Sequence, residues 1–393
     1  MRFITLAILS VALLLNPVKA VEVTELNPIE VLKVSSTLTK DPVAYNVTLP
    51  VNYHDKKDKQ YVLLVDFHKR SQPLHAGMHD WMSHNGAWPW IETIIVTPTD
   101  YNPQFREIYS DYWEGKNQHL IDYIEKDLLA AITNKYRTNG FKIYSGFTGN
   151  AAVGLGLMLD KPDLFNAYIL ASPVLKEHPL NFPEKIEKQM TAFGEKPRYV
   201  MLSTSDSGYE QAQLEAFSAI TDKLVNAAPK SLTVSIKRFD GTYYMTQPVL
   251  ATSHAIEEIF DDAHKRLAPD SDIAKQGADA IIKHYKYLSD EKYGFEVSAQ
   301  PSLKALGNAL LEAEPKAAIA ILQKAIEQYP DSAFAYDALA AAYFTLEQTD
   351  KAISTQKLAV KHSDKLVEFW QRKHQETLTK YQVSSTAEAN APE

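Results

Sequence analysis

The chain contains no cysteine. That excludes disulfides, a thiolate nucleophile and any cysteine-ligated metal centre. Glycine is scarce, 14 residues in 393, and proline numbers only 20, so a collagen-like or low-complexity fibre is excluded. Positive charge is not in excess: 41 Lys and Arg stand against 49 Asp and Glu, for a net charge of −8. A nucleic-acid binder that neutralises phosphates with a basic surface is thereby disfavoured. After the amino-terminal segment, no apolar run reaches the roughly 20 residues that cross a bilayer. What is present is apolar material, 45% of the residues, enough for a large core and too much for intrinsic disorder.

The first twenty residues read as an export address. Arg2 gives a short positive region, Ala7–Leu15 is a compact apolar stretch, and Val18-Lys19-Ala20 ends it in modest side chains. This pattern predicts a Sec signal peptide cleaved after Ala20, hence a secreted or periplasmic protein. The competing reading, a membrane anchor, needs a longer apolar run. No cysteine follows the stretch, so it is not a lipoprotein signal. An exported chain without disulfides must rest on its core.

Two textures follow. From about residue 30 to 260, short apolar runs alternate with helical patterns. Val43–Leu49 alternates with period two, and Tyr61–Phe67 is almost continuously apolar, as a strand buried on both faces should be. Segments 91–96, 141–144, 167–171, 199–203 and 232–239 read as strands too. Helical patterns cover 119–134, 151–159, 210–227 and 250–264. Strand and helix in alternation predict a doubly wound, mostly parallel sheet with an antiparallel start. Beyond about residue 270 the strands stop and alanine-rich helical text repeats. Ala318 and Ala352, and Ala325 and Ala359, are spaced by 34, with Pro330 closing the first unit and Tyr336, Leu339 and Tyr343 in the second. This pattern looks like tetratricopeptide repeat, in which small residues let paired helices approach closely. A generic helical hairpin is the competing reading. Two repeats bury little alone, so flanking helices at 273–288 and 365–381 are expected to cap them. The polar segment 383–393 is expected to be disordered.

Chemistry is expected where strand meets helix. Residues 143–155 read IYSGFTGNAAVGL: a strand, then Gly146-Phe147-Thr148-Gly149-Asn150, then a helix of small residues. This is the setting of a G-x-S-x-G nucleophile elbow, except that Thr148 takes the serine position and Asn150 the last glycine position. With that elbow, Tyr61–Phe67, Trp81–Pro98, the run Lys161-Pro162-Asp163-Leu164-Phe165 and the pair Ser172-Pro173, the chain resembles the esterase family of α/β-hydrolases that includes esterase D and the trilactone siderophore esterases. Some members carry a C-terminal tetratricopeptide extension, which Tyr293-Gly294-Phe295 through Ala325 resembles. The resemblance implies an α/β-hydrolase fold and ester chemistry by a serine, histidine and acid triad.

Position by position, the triad is altered. The serine corresponds to Thr148, a β-branched and more hindered residue. The histidine lies four residues before a proline; with Pro248 here, that position is Tyr244, a poor general base at neutral pH. The acid should follow strand 199–203, with Asp206 the leading candidate and Glu210 the second. Asp66, Phe67 and His68 fall in the segment resembling the oxyanion loop, and Phe147 and Gly149 flank the nucleophile position. His254 and His68 are candidate substitute bases. His75, His79, His84 and Asp80 form a loose cluster whose spacing fits no metal motif. Trp81, Trp88, Trp90, Tyr101, Phe105, Tyr109, Tyr112 and Trp113 either line a pocket over the strand ends or form a small core under a lid.

Together these features predict a signal peptide (1–20), an α/β-hydrolase domain (25–265), a linking helix (266–296), a tetratricopeptide-like all-α module (297–381) and a tail (382–393). The expected function is a degenerate esterase that binds an ester-like small molecule, or a protein or peptide partner through its repeats. No cofactor, metal, nucleic acid or membrane span after signal removal is expected. The alternatives are an active carboxylic-ester hydrolase using Thr148 and a repeat-mediated scaffold.

Overall fold

A computed structural model describes residues 27–83, 89–100 and 102–389. The expected signal peptide, His84, Trp88 and Tyr101 lie outside the described residues. The strands are β1 (Ile29–Val34), β2 (Val43–Thr48), β3 (Tyr61–Asp66), β4 (Thr93–Pro98), β5 (Thr138–Phe147), β6 (Ala167–Ala171), β7 (Arg198–Thr204) and β8 (Leu232–Arg238). Between and after them run α1 (Ser71–Met82), α2 (Pro103–Trp113), α3 (His119–Asp122), which continues through a π-helical stretch into α4 (Ala130–Lys135), α5 (Gly149–Asp160), α6 (Phe182–Gln189), α7 (Leu214–Ala227) and α8 (Gln247–His264). The helical remainder comprises α9 (Ala278–Tyr287), α10 (Gln300–Leu310), α11 (Pro315–Gln328), α12 (Ala333–Thr345), α13 (Thr349–Lys361) and α14 (Glu368–Ala389).

One sheet holds all eight strands in the order β1-β2-β4-β3-β5-β6-β7-β8. The pairs β1/β2 and β2/β4 are antiparallel and the others parallel. The seven strands read from the sequence all form; β1 completes the antiparallel start. In β3, Leu63 and Val65 enter the core on one face while Val62 and Leu64 enter the other. Burial on both faces is why that strand reads as a continuous apolar run. α5 is apolar all round and buried from Ala151 to Leu159, the covering helix behind the elbow.

From α9 to α11 the helical remainder packs onto α8 without a break in the apolar core, and α12 to α14 add smaller clusters of their own. Ile256 and Phe260 of α8 share one cluster with Ile281, Tyr285, Leu303, Leu306 and Ile321. The Tyr293 hydroxyl donates to the Ile259 carbonyl at 2.6 Å, and its ring lies 5.5 Å from that of Phe141. α10–α11 and α12–α13 form two successive helical pairs, and α14 packs on α13. Ala318, Ala325, Ala352 and Ala359 are all buried. A Cβ on Gly307 would sit 2.8 Å from the Leu322 side chain, so Leu322 of α11 packs directly on the backbone of α10. α14 runs on to Ala389, so most of the expected tail continues that helix. The segment holds no glycine, and its only proline, Pro392, lies beyond the helix, so nothing breaks it earlier. Among the described residues no helix is long and apolar enough to cross a membrane.

Candidate functional site

The chain leaves β3 for β4 on one side and returns to β5 on the other. In open α/β sheets ligands bind outside the carboxyl ends of the strands at such a switch point. Here those ends present Phe67 and His68 after β3 and Thr148 after β5.

Thr148 has φ 55° and ψ −113°, a region that side chains with a Cβ avoid. Holding it there costs on the order of 1–3 kcal/mol, which the surroundings must offset. Gly146 makes the turn possible, because a Cβ there would lie 2.6 Å from the Asn150 backbone. The Thr148 N–H donates to the Ala171 carbonyl at 3.0 Å, and its carbonyl accepts the Ala152 N–H at 3.1 Å as α5 begins. Strand, strained residue and helix N-terminus together make the geometry that lifts a nucleophile above the sheet. The hydroxyl of Thr148 hydrogen-bonds to no described residue.

Tyr244 opens a short turn before α8 and is half-buried. Its ring lies 4.9 Å from Phe147, beside Thr148 in sequence, and stacks on Tyr209 at 5.2 Å. Burial, helped by the Glu210 charge, pushes its hydroxyl above the ordinary tyrosine range. It therefore stays a neutral phenol at physiological pH and cannot accept a proton from Thr148.

Of the two acid candidates, the structure buries Glu210 and exposes Asp206. Glu210 accepts the Thr204 hydroxyl at 3.1 Å, the Ser205 N–H at 3.1 Å, the Ser207 hydroxyl at 2.8 Å and the Ser205 hydroxyl. Asp206 turns outward and accepts the Gly241 N–H at 2.7 Å, tying the β7 loop to the loop after β8.

The histidines are largely occupied elsewhere. His254 is exposed and stacks on Phe239 at 5.3 Å. His79 is buried and its Nε2 accepts the Thr93 N–H at 2.8 Å, binding α1 to the start of β4. His75 is buried with Nε2 at 3.0 Å from Asp66, whose other oxygen accepts the His68 N–H at 2.8 Å. His75 and His79 are thus engaged in packing contacts, and among the described residues no three His, Asp or Glu converge for a metal. His178, not singled out in the sequence, packs on Trp113, whose indole covers Gly149.

The aromatic segment divides. Trp90 is buried against His79, Trp81 is exposed, and Phe105 and Tyr112 are buried faces of α2. Tyr109 reaches the site: its hydroxyl donates to Asn150 Oδ1. An open cavity of about 410 Å³ lies between the β3–α1 loop and α2. Phe67, Pro98, Phe105 and Tyr109 form its apolar side, and His68, Lys69, Asp100, Asn102, Arg106 and Asn150 its polar side. Phe67 and His68 are therefore pocket residues, whereas Asp66 is buried behind them. Lys69, Asn102 and Arg106 escaped the sequence reading, and Asn150 entered it only as the last glycine position of the elbow, although Asn102-Pro103 carries a readable helix-start signal.

Solved structures share this architecture. An IroE-like serine hydrolase from Shewanella oneidensis is 19% identical with a TM-score of 0.56, covering 77% of this chain and 100% of that one. An uncharacterised protein from Capnocytophaga ochracea is 15% identical with a TM-score of 0.66, covering 91% of this chain and 100% of that one. The BES protein from Bacillus cereus is 15% identical with a TM-score of 0.50, covering 58% and 93%. The chain shares the fold of these structures. The 91% coverage carries the likeness beyond the sheet into the C-terminal helices. No family model matches the chain, and no curated protein sequence matches it.

Proposed function

We propose that the protein is an exported, catalytically degenerate hydrolase that binds a small ester-like or related ligand with little turnover. One observation carries this reading: Thr148 keeps the strained elbow, yet its hydroxyl has no base, and the histidine position holds a phenol packed on Phe147. Removing a triad member leaves rates several powers of ten down. Thr148, Glu210 and Tyr244 are assigned as the remnants of nucleophile, acid and base, with Asp206 as a loop tie. The buried alanines spaced by 34 support a tetratricopeptide-type module in the C-terminal pairs, with a protein or peptide as its partner. The charge and apolar pattern of residues 2–20 supports export.

A fluorophosphonate probe tests the reading. No labelling is expected in the parent. Thr148→Ser together with Tyr244→His should restore labelling, while either change alone does little, because these groups act as a unit. Labelling of the parent at Thr148 would overturn the degenerate reading in favour of an active threonine hydrolase.

A further inference from the structure

We propose that the cavity beside the elbow is a carboxylate site, shaped for a small organic anion with an apolar body. The proposal deepens the binding reading above by giving the ligand a chemical class. The polar side of the cavity presents donors. His68 Nδ1 accepts the Arg70 N–H at 3.2 Å, so its lone pair is spent there. In the neutral ring the proton then resides on Nε2, and His68 offers the cavity an N–H rather than a base. Asn150 Oδ1 accepts the Tyr109 hydroxyl, which leaves the Asn150 amide hydrogens. Asn102 Oδ1 accepts the N–H groups of Gln104 and Phe105, both at 3.0 Å, which leaves its amide hydrogens too. Lys69 and Arg106 can only donate. Among the described residues lining the cavity the one carboxylate is Asp100, which is paired with Lys69 at 3.2 Å.

Opposite the donors stands an apolar wall. Phe67 and Phe105 lie 5.3 Å apart, with Tyr109 next to Phe105 at 6.2 Å and Pro98 completing the side. A carboxylate can take several of these donors in charge-assisted bonds while its apolar body covers the wall. An amine would meet the like charge of Lys69 and Arg106 and bring donors to a side that already presents donors. An alcohol satisfies fewer of them, and inorganic phosphate lacks the body that the wall would cover.

Calorimetric titration of the full chain with benzoate, benzyl alcohol, benzylamine and inorganic phosphate tests this. Benzoate should bind at least about tenfold tighter than each of the others. His68→Phe keeps a ring but removes the donor, and Asn150→Asp replaces donors with a negative charge. Each should weaken benzoate about tenfold or more, in protein whose melting and circular dichroism match the parent. Equal affinity for benzoate and benzyl alcohol, a preference for benzylamine, phosphate binding as tightly as benzoate, or no binding of benzoate at all would each overturn the proposal. So would benzoate affinity unchanged in both folded variants. Failure here leaves the inert elbow untouched, and esterase activity in the parent would sink the degenerate reading without altering the preference for a carboxylate.

Discussion

Glu210 carries four donated hydrogen bonds on one buried carboxylate, three of them from hydroxyls within six residues of it. A carboxylate accepts at every lone pair, whereas an amide must turn two N–H donors toward hydroxyls already arranged to donate. Glu210→Gln should therefore cost about 1–3 kcal/mol in chemical denaturation. Asp206→Asn, on an exposed side chain, should stay within about 0.5 kcal/mol. Equal costs for the two would show that the carboxylates have been assigned to the wrong places. The sequence ranks Asp206 first and Glu210 second, both following the strand at 199–203. Which one turns inward depends on whose oxygens the neighbouring hydroxyls can satisfy. Thr204, Ser205 and Ser207 are the readable signal, and it points to Glu210. Thr148 was legible more directly: glycine two before it and small residues after it already specify the elbow, whatever the nucleophile.

At the scale of single elements, α2 shows how a helix hides in a sequence. Its buried positions Phe105, Ile108 and Tyr112 follow helical spacing, but other aromatics on both sides blur the period. The capping side chain of Asn102 and Pro103 at the helix start were the clearer signs. α1 depends on His79, whose buried ring must stay neutral to accept the Thr93 N–H. Desolvation lowers its pKa from 6.5 to about 3. Above pH 6.5 the ring is neutral in folded and unfolded chains alike and contributes no pH dependence. Below pH 6.5 the unfolded chain takes up a proton that the folded one refuses, so stability falls as the pH drops toward about 3. His79→Gln can keep an acceptor for Thr93 without that protonation. Between pH 7 and pH 5 the variant should lose about 1–2 kcal/mol less stability than the parent, measured by denaturant titration at each pH. Identical pH profiles would mean that His79 is solvated or charged in the folded protein. His178 is lowered as well, to about 4, by burial and then by Lys185, and it contributes equally to both proteins.

For the whole molecule, the sequence foretold two textures and the structure shows how they join. The alternating part forms the sheet, the alanine-rich part forms helical pairs, and one apolar cluster runs from α8 to α11. Tyr293 is the visible seam, with its ring on Phe141 and its hydroxyl on α8. The ring contact with Phe141 was not legible, because it links residues more than a hundred positions apart. The 34-residue spacing was legible, since burial of a small residue repeats once per pair. Ala352 is fully buried between α13 and its neighbours, so Ala352→Leu should overpack the contact and cost about 1–3 kcal/mol, lowering the melting temperature. An unchanged melt would put the spacing out of register.

The two halves frame a single question, whether an intact elbow without a base still turns over esters. Hydrolysis of p-nitrophenyl acetate by the chain from Val21 onward, set beside Thr148→Ala, answers it. An inert scaffold gives a rate near that of buffer, unchanged by the substitution. A rate well above buffer that vanishes in Thr148→Ala would establish a working threonine nucleophile and contradict the degenerate reading.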